Sequence, residues 1–222
     1  MLNLCAIYFS DEDQQTTLVS TLKELAEVPG LPRVAGVFNT PLAVLITPSP
    51  ATSFEDLLKE EKPKKDIVLK TMLSLCYTVN CLHSHGYTHN NLTAKSVSVA
   101  YKKQKSFIGF KRTYDVTTTL FCLSNITKIG QKRQYNLEKV HHSASTNPDF
   151  NIWSNEVDVE EKVATTFRAV LQIRDLLHKA TTKVRWSCKE IDEWIVESKK
   201  RPATQNSLNL LVVILEKYVT ID

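Results

Sequence analysis

At 222 residues with 42% hydrophobic content, the chain can form one large domain or two small lobes around a sizeable core. The net charge is only +4, with 28 Lys and Arg interspersed among 24 Asp and Glu, which excludes the basic stripe of a nucleic-acid binder. No apolar run approaches the roughly 18 residues needed to span a bilayer, so a membrane role is excluded as well.

Leu2 to Phe9 is short, apolar and closed by Ser10-Asp11, which predicts a strand. Residues 14–26 then place Leu18, Leu22, Leu25 and Ala26 at helical spacing, and Pro29, Gly30 and Pro32 stop that helix. Two apolar runs, Arg33 to Phe38 and Leu42 to Ile46, flank Asn39-Thr40-Pro41 and predict a hairpin. Pro48-Ser49-Pro50 reads as a stiff extended connector. Ser53 is suited to cap a helix over 54–61, with Glu55 and Asp56 in its first turn.

Lys65 to His83 gives the clearest helix. Ile67, Val68, Met72, Leu73, Cys76, Val79 and Leu82 form an apolar face broad enough for a buried central helix. Gly86-Tyr87 breaks it and leads into a compact polar loop, His89-Asn90-Asn91-Leu92, an order that often sets a functional loop on a rigid base. Val97 to Tyr101 and Ser106 to Phe110 read as two short strands, with Lys102-Lys103-Gln104-Lys105 as their turn. Residues 113–148, with Thr repeats and His141-His142, are expected to be irregular. Three helices follow: Glu160 to Lys179, with Val163, Phe167, Val170, Leu171 and Leu177 inward; Cys188 to Ser198, with Ile191, Trp194 and Ile195; and Ser207 to Val219.

Cys5, Cys76, Cys81, Cys122 and Cys188 lack metal-ligand spacing and read as free thiols in a reducing compartment. Met1-Leu2-Asn3-Leu4 lacks the basic start of a secretory leader, so a cytoplasmic location is expected. On that view the Asn91-Leu92-Thr93 and Asn125-Ile126-Thr127 sequons are chance matches. His83, His85 and His89 have no nearby acidic or cysteine partner, which argues against a metal site. Trp153, Trp186 and Trp194 are expected to pack.

Several of these segments carry a resemblance. The run LHSHGYTHNNL, residues 82–92, is similar to the protein kinase run LHSxGIxHRDL. Pro41-Leu42 through Ser53-Phe54-Glu55-Asp56-Leu57-Leu58 resembles the last strand, hinge and first large-lobe helix of a kinase, and Lys200-Arg201-Pro202 resembles its late RP element. The element order is also that of a protein kinase domain. The resemblance implies an α+β, kinase-like fold, with residues 1–47 as a truncated, β-rich N-lobe and residues 48–222 as a mostly helical C-lobe.

Every position that the resemblance assigns to chemistry departs from the kinase pattern. A kinase pairs a strand lysine with a helix glutamate to hold ATP phosphates; Tyr8 and Leu18 stand there. Asn91 replaces the catalytic aspartate, Thr93 the assisting lysine and Ser96 the metal-binding asparagine. Gly109-Phe110-Lys111 aligns with the DFG segment, so Gly109 replaces its aspartate. Ile46, Thr47, Ser49 and Ser98 would line the hinge-side pocket, and Ser98 stands where a leucine covers the adenine ring. The spine positions keep their character in Leu22, Val34, His89 and Phe110, and Arg201 with Glu138 would brace the large lobe.

What this implies is a pseudokinase that needs no cofactor or metal and acts through protein partners, as a regulator or inhibitor of active kinases or their substrates. Two alternatives remain open: a nucleotide-binding pseudokinase, or a residual phosphotransferase in which Lys111 or Lys95 replaces the lost lysine and Asp115 or Asp11 a metal ligand.

Overall fold

The structure is a computed structural model that describes residues 4–104, 113–131, 166–200 and 205–220. The protein is a mixed α+β fold. Its first part holds β1 (Cys5–Tyr8), α1 (Glu12–Glu24), β2 (Arg33–Asn39) and β3 (Leu42–Thr47). These strands form an antiparallel sheet in the order β1-β3-β2, with Cys5, Ala6 and Ile7 of β1 and Ala43, Val44 and Ile46 of the central β3 all buried. Asp11 caps α1 by accepting from the Asp13 amide. Buried Gln15 fastens that helix to the hairpin, donating to the Phe38 carbonyl at 2.7 Å and the Ala43 carbonyl at 3.0 Å.

The second part begins with β4 (Thr52–Ser53) and α2 (Phe54–Lys59). Ser53 accepts from the Asp56 amide, as its sequence position predicts. Next come α3 (Lys65–Ser84), β5 (Tyr87–His89), β6 (Val97–Gln104), β7 (Thr113–Leu120) and β8 (Ile126–Lys128). The last three helices are α4 (Thr166–Val184), α5 (Lys189–Lys200) and α6 (Gln205–Thr220). β4, β6 and β7 form one antiparallel sheet, and β5 pairs with β8. α3 lies at the centre, packed against α4, α6, β5 and β7. Ile67, Met72, Leu75, Val79 and Leu82 on it are fully buried. One hydrophobic cluster runs from Cys5 and Ile7 through α3 to Leu211 and Leu215, so the two parts share a core.

Three expectations are corrected. The expected strand Ser106 to Phe110 lies outside the described residues; among the described residues the strands after the polar loop are β6 and β7, and Lys102, Lys103 and Gln104 belong to β6, opposite Asp115, Tyr114 and Thr113. They are exposed because the hairpin extends beyond the core, so their polarity marks a solvated strand end and not a turn. Thr113–Leu120 and Ile126–Lys128 are strands where irregular chain was expected, the first because the β-branched run Thr117-Thr118-Thr119 continues the ladder. Phe167, expected inward, is 40% exposed, because the buried stripe of α4 runs through Ala169, Val170, Ile173, Leu176 and Leu177.

Trp194 is buried and donates from Nε1 to the Ser207 carbonyl at 2.6 Å, while Trp186 packs edge-on against Tyr218. Among the described residues no helix is long and apolar enough to cross a membrane. Gly109, Phe110, Lys111, Glu138, His141, His142, Trp153 and Arg201 lie outside the described residues.

Candidate functional site

The polar loop is held between β5 and β6, with α4 behind it. His89 is fully buried, and its ring is fixed at both nitrogens. The Asn91 amide can only donate, and it points at Nδ1 from 3.2 Å. Nδ1 is therefore the acceptor, and Nε2 carries the proton that it donates to the Phe121 carbonyl at 2.8 Å. A single neutral tautomer satisfies both contacts, so His89 is engaged as a brace and has no free nitrogen for proton transfer.

Its neighbours are fixed in the same way. The Asn90 side chain donates to the Asn125 carbonyl at 2.9 Å and to Thr127 Oγ1 at 2.8 Å, and its amide also meets the Asn125 carbonyl. The Leu92 amide donates to Gln172 Oε1 at 3.0 Å, and Gln172 Nε2 returns a bond to the Asn90 carbonyl at 3.3 Å. Gln172 of α4 thus satisfies backbone groups that the loop cannot pair with itself. Ser96 is buried; its hydroxyl accepts from the Thr93 amide at 2.9 Å and donates to the Thr93 carbonyl at 2.8 Å. Thr93 Oγ1 in turn accepts from the Ser96 amide at 3.3 Å. Asn91 is half-buried and presents an amide, with no carboxylate, at the head of this closed turn.

The remaining assigned positions surround the loop or lie in the first part. Tyr8 is half-buried on β1 opposite Ala43, and Leu18 and Leu22 are buried on α1. Val34, half-buried on β2, sits opposite Ile46, which is fully buried. Thr47 and Ser49 are half-buried on either side of Pro48. Ser98 is buried and its hydroxyl accepts from the Ala51 amide at 2.7 Å, tying the connector to β6. Of the residues that an unconventional phosphotransferase would call on, Asp11 caps α1, Lys95 reaches Glu55 at 3.9 Å, and Asp115 is exposed on β7 opposite Lys102, while Lys111 lies outside the described residues.

Residues that sequence reasoning did not single out complete the site. Tyr87, on the strand that enters the loop, donates from its hydroxyl to Glu24 Oε2 at 2.6 Å, and Lys128 reaches Glu24 Oε1 at 3.4 Å while lying over the Tyr87 ring. This triad joins α1 to the β5–β8 pair. The Tyr87 hydroxyl, and then Lys128, hold the Glu24 carboxyl below its usual range, while burial and then Glu24 push the Tyr87 phenol up. A second link is the Leu120 amide, which donates to the Gly30 carbonyl at 2.7 Å. Phe121, Asn125 and Gln172 carry no sequence signal as loop partners, because they are 30 or more residues away from the groups they bond.

Asn125 is buried by this network, so its sequon is not an accessible acceptor in the folded chain. Among the described residues no three His, Cys, Asp or Glu side chains gather as a metal site. No family model matches the chain, and no curated protein matches it.

Proposed function

We propose that the chain is a kinase-like domain that has lost phosphoryl-transfer chemistry and acts by binding other proteins, as a regulator or inhibitor of active kinases. The observation that carries the reading is the self-satisfied loop. His89, Asn90, Thr93 and Ser96 spend their polar groups on holding the loop's own backbone and that of Phe121 and Asn125. The position of a base is taken by the amide of Asn91. Phosphoryl transfer depends on placed metal ions and on positioning, and this loop offers no carboxylate for either.

The fold also bears on which segment replaces DFG. That segment is expected at the end of the second strand after the loop. Among the described residues the second strand is β7, which ends at Leu120, so Phe121-Cys122-Leu123 is a second candidate beside Gly109-Phe110-Lys111. Cys122 adopts a left-handed backbone conformation there, with φ of 61°, and His89 bonds the Phe121 carbonyl. Neither segment contains an aspartate, so the conclusion holds in both registers.

Two measurements test the proposal. A thermal-shift series with ATP, with and without Mg²⁺, is expected to be flat; a dose-dependent rise in Tm would favour the nucleotide-binding alternative. Purified active kinases assayed on their own substrates, with and without the chain, are expected to include at least one whose rate changes. A panel with no change at all would count against the regulatory role.

A further inference from the structure

A second feature lies away from the polar loop. The turn between α2 and α3 and the C-terminal end of α4 enclose an open cleft of about 930 Å³. That volume lies in the range of sites that take a small ligand or a few peptide residues. Four cations line it: Lys62 from the α2–α3 turn, and Lys179, Lys183 and Arg185 from α4 and the turn that follows. All four are exposed, and Glu61 is the single carboxylate in the lining.

The charges of the lining are unbalanced, four cations against one carboxylate. Lys59, Lys70 and Lys189 each meet a carboxylate one turn away on their own helix, and Lys128 meets Glu24 of α1. No such ion pair joins Lys62, Lys179, Lys183 or Arg185 to a carboxylate among the described residues. Lys179 and Lys183 are four apart on one helix face, a like-charge spacing that costs stability. Favourable interaction with the carbonyl end of α4 accounts for Lys183, but not for Lys62 on the opposite wall. Arg185 adopts φ of 52°, a conformation that glycine would occupy with less strain at a helix end.

We propose that this cleft binds an extended acidic peptide segment of a partner protein. Lysine ammoniums are compact point charges on flexible stems, and these come from both walls, so they suit carboxylates spaced along a chain better than one compact anion. Besides the charges and the polar His178 and Thr182, the lining has apolar Leu58, Pro63 and Val184, and the lysine stems add to it. Such a surface accepts the apolar side chains of a peptide. Glu61, next to Lys62 in sequence, repels dense negative charge and so restricts register. The inference goes beyond the kinase-like reading and does not depend on it.

The test is fluorescence anisotropy of the intact chain with a short labelled peptide of Glu and Leu, beside a control with Gln for each Glu. Binding of the Glu peptide is expected, weakening as salt rises, with no binding of the Gln control. The double variant Lys179→Glu, Lys183→Glu is expected to lower affinity about tenfold or more, with unchanged circular dichroism because both side chains are exposed. Arg185→Gly is expected to weaken binding while leaving Tm unchanged or higher, a combination that a purely structural arginine would not give. Equal binding of the Gln control, affinity unaffected by the charge reversal, or binding of inositol hexakisphosphate without binding of the Glu peptide would each overturn the proposal. Those results would leave the non-catalytic reading standing, since ATP and phosphate transfer test that separately.

Discussion

Gly30 offers a quantitative test of how the first part of the fold is seated on α3. Its φ is +76°, and a Cβ placed there would lie 2.1 Å from Thr78 Oγ1, with Thr78 Cβ and Cγ2 at 3.3 and 3.4 Å. Its carbonyl also receives the Leu120 amide. In Gly30→Ala the left-handed backbone costs about 1–2 kcal/mol, and overpacking against a buried threonine adds about 1–3 kcal/mol. The sum, about 2–5 kcal/mol, corresponds to a Tm lower by roughly 4–20 °C for a chain of this size. Thr78→Ala opens the space at a cost of about 1 kcal/mol, because its hydroxyl only supplements the helix by donating to the Ser74 carbonyl. The double variant should therefore be more stable than the sum of the singles by about 1–3 kcal/mol. The assay is urea denaturation of all four proteins. A Gly30→Ala penalty under about 0.5 kcal/mol, or additivity of the pair within about 0.5 kcal/mol, would refute the close approach of this turn to α3.

Three further outcomes are expected. His83 is buried on α3 with neither ring nitrogen hydrogen-bonded among the described residues, and burial lowers its pKa from 6.5 to about 4. The unfolded chain therefore takes up a proton near its ordinary value that the folded chain refuses until about pH 4. Stability relative to His83→Leu should be constant above about pH 6.5, fall by about 3 kcal/mol towards pH 4, and level off below; a pH-independent difference between the two would contradict this. Tyr87→Phe should raise the Glu24 pKa towards the usual carboxylate range, as followed by carboxyl NMR titration, because the phenol hydroxyl is the main cause of its depression. An unmoved Glu24 would mean that Lys128 alone holds it. Gln172→Ala should cost about 1–3 kcal/mol by leaving the buried Leu92 amide without an acceptor. Faster hydrogen exchange at that amide would report the same loss.

Local chemistry was legible in the sequence and distant pairing was not. The Ser53 cap, the broad apolar face of α3 and the β2–β3 hairpin follow from residues within a turn or two of each other, and each stands where its pattern puts it. β5 and β8 are three-residue strands whose pairing joins Tyr87 to Lys128, so no local pattern announces them. β7 was obscured because its threonines and Asp115 look polar, although their β-branching suits a ladder with one face in solvent. At the loop, the residue types carried the expectation that Asn91 and Thr93 stand in place of a base and a lysine. They did not reveal that His89 reaches Phe121 or that Gln172 closes the loop from α4, since those contacts exist only after the chain has folded.

The central claim is that the His89–Ser96 loop is a brace whose chemistry cannot be recovered at one position. The most direct measurement is transfer of radiolabelled phosphate from ATP with Mg²⁺ to a general protein substrate, and to the chain itself, by the unaltered protein and by Asn91→Asp. The account predicts incorporation equal to a protein-free blank in both, because a restored carboxylate would still lack the lysine and metal-binding positions. Incorporation by either protein that disappears on Asp115→Ala would contradict it.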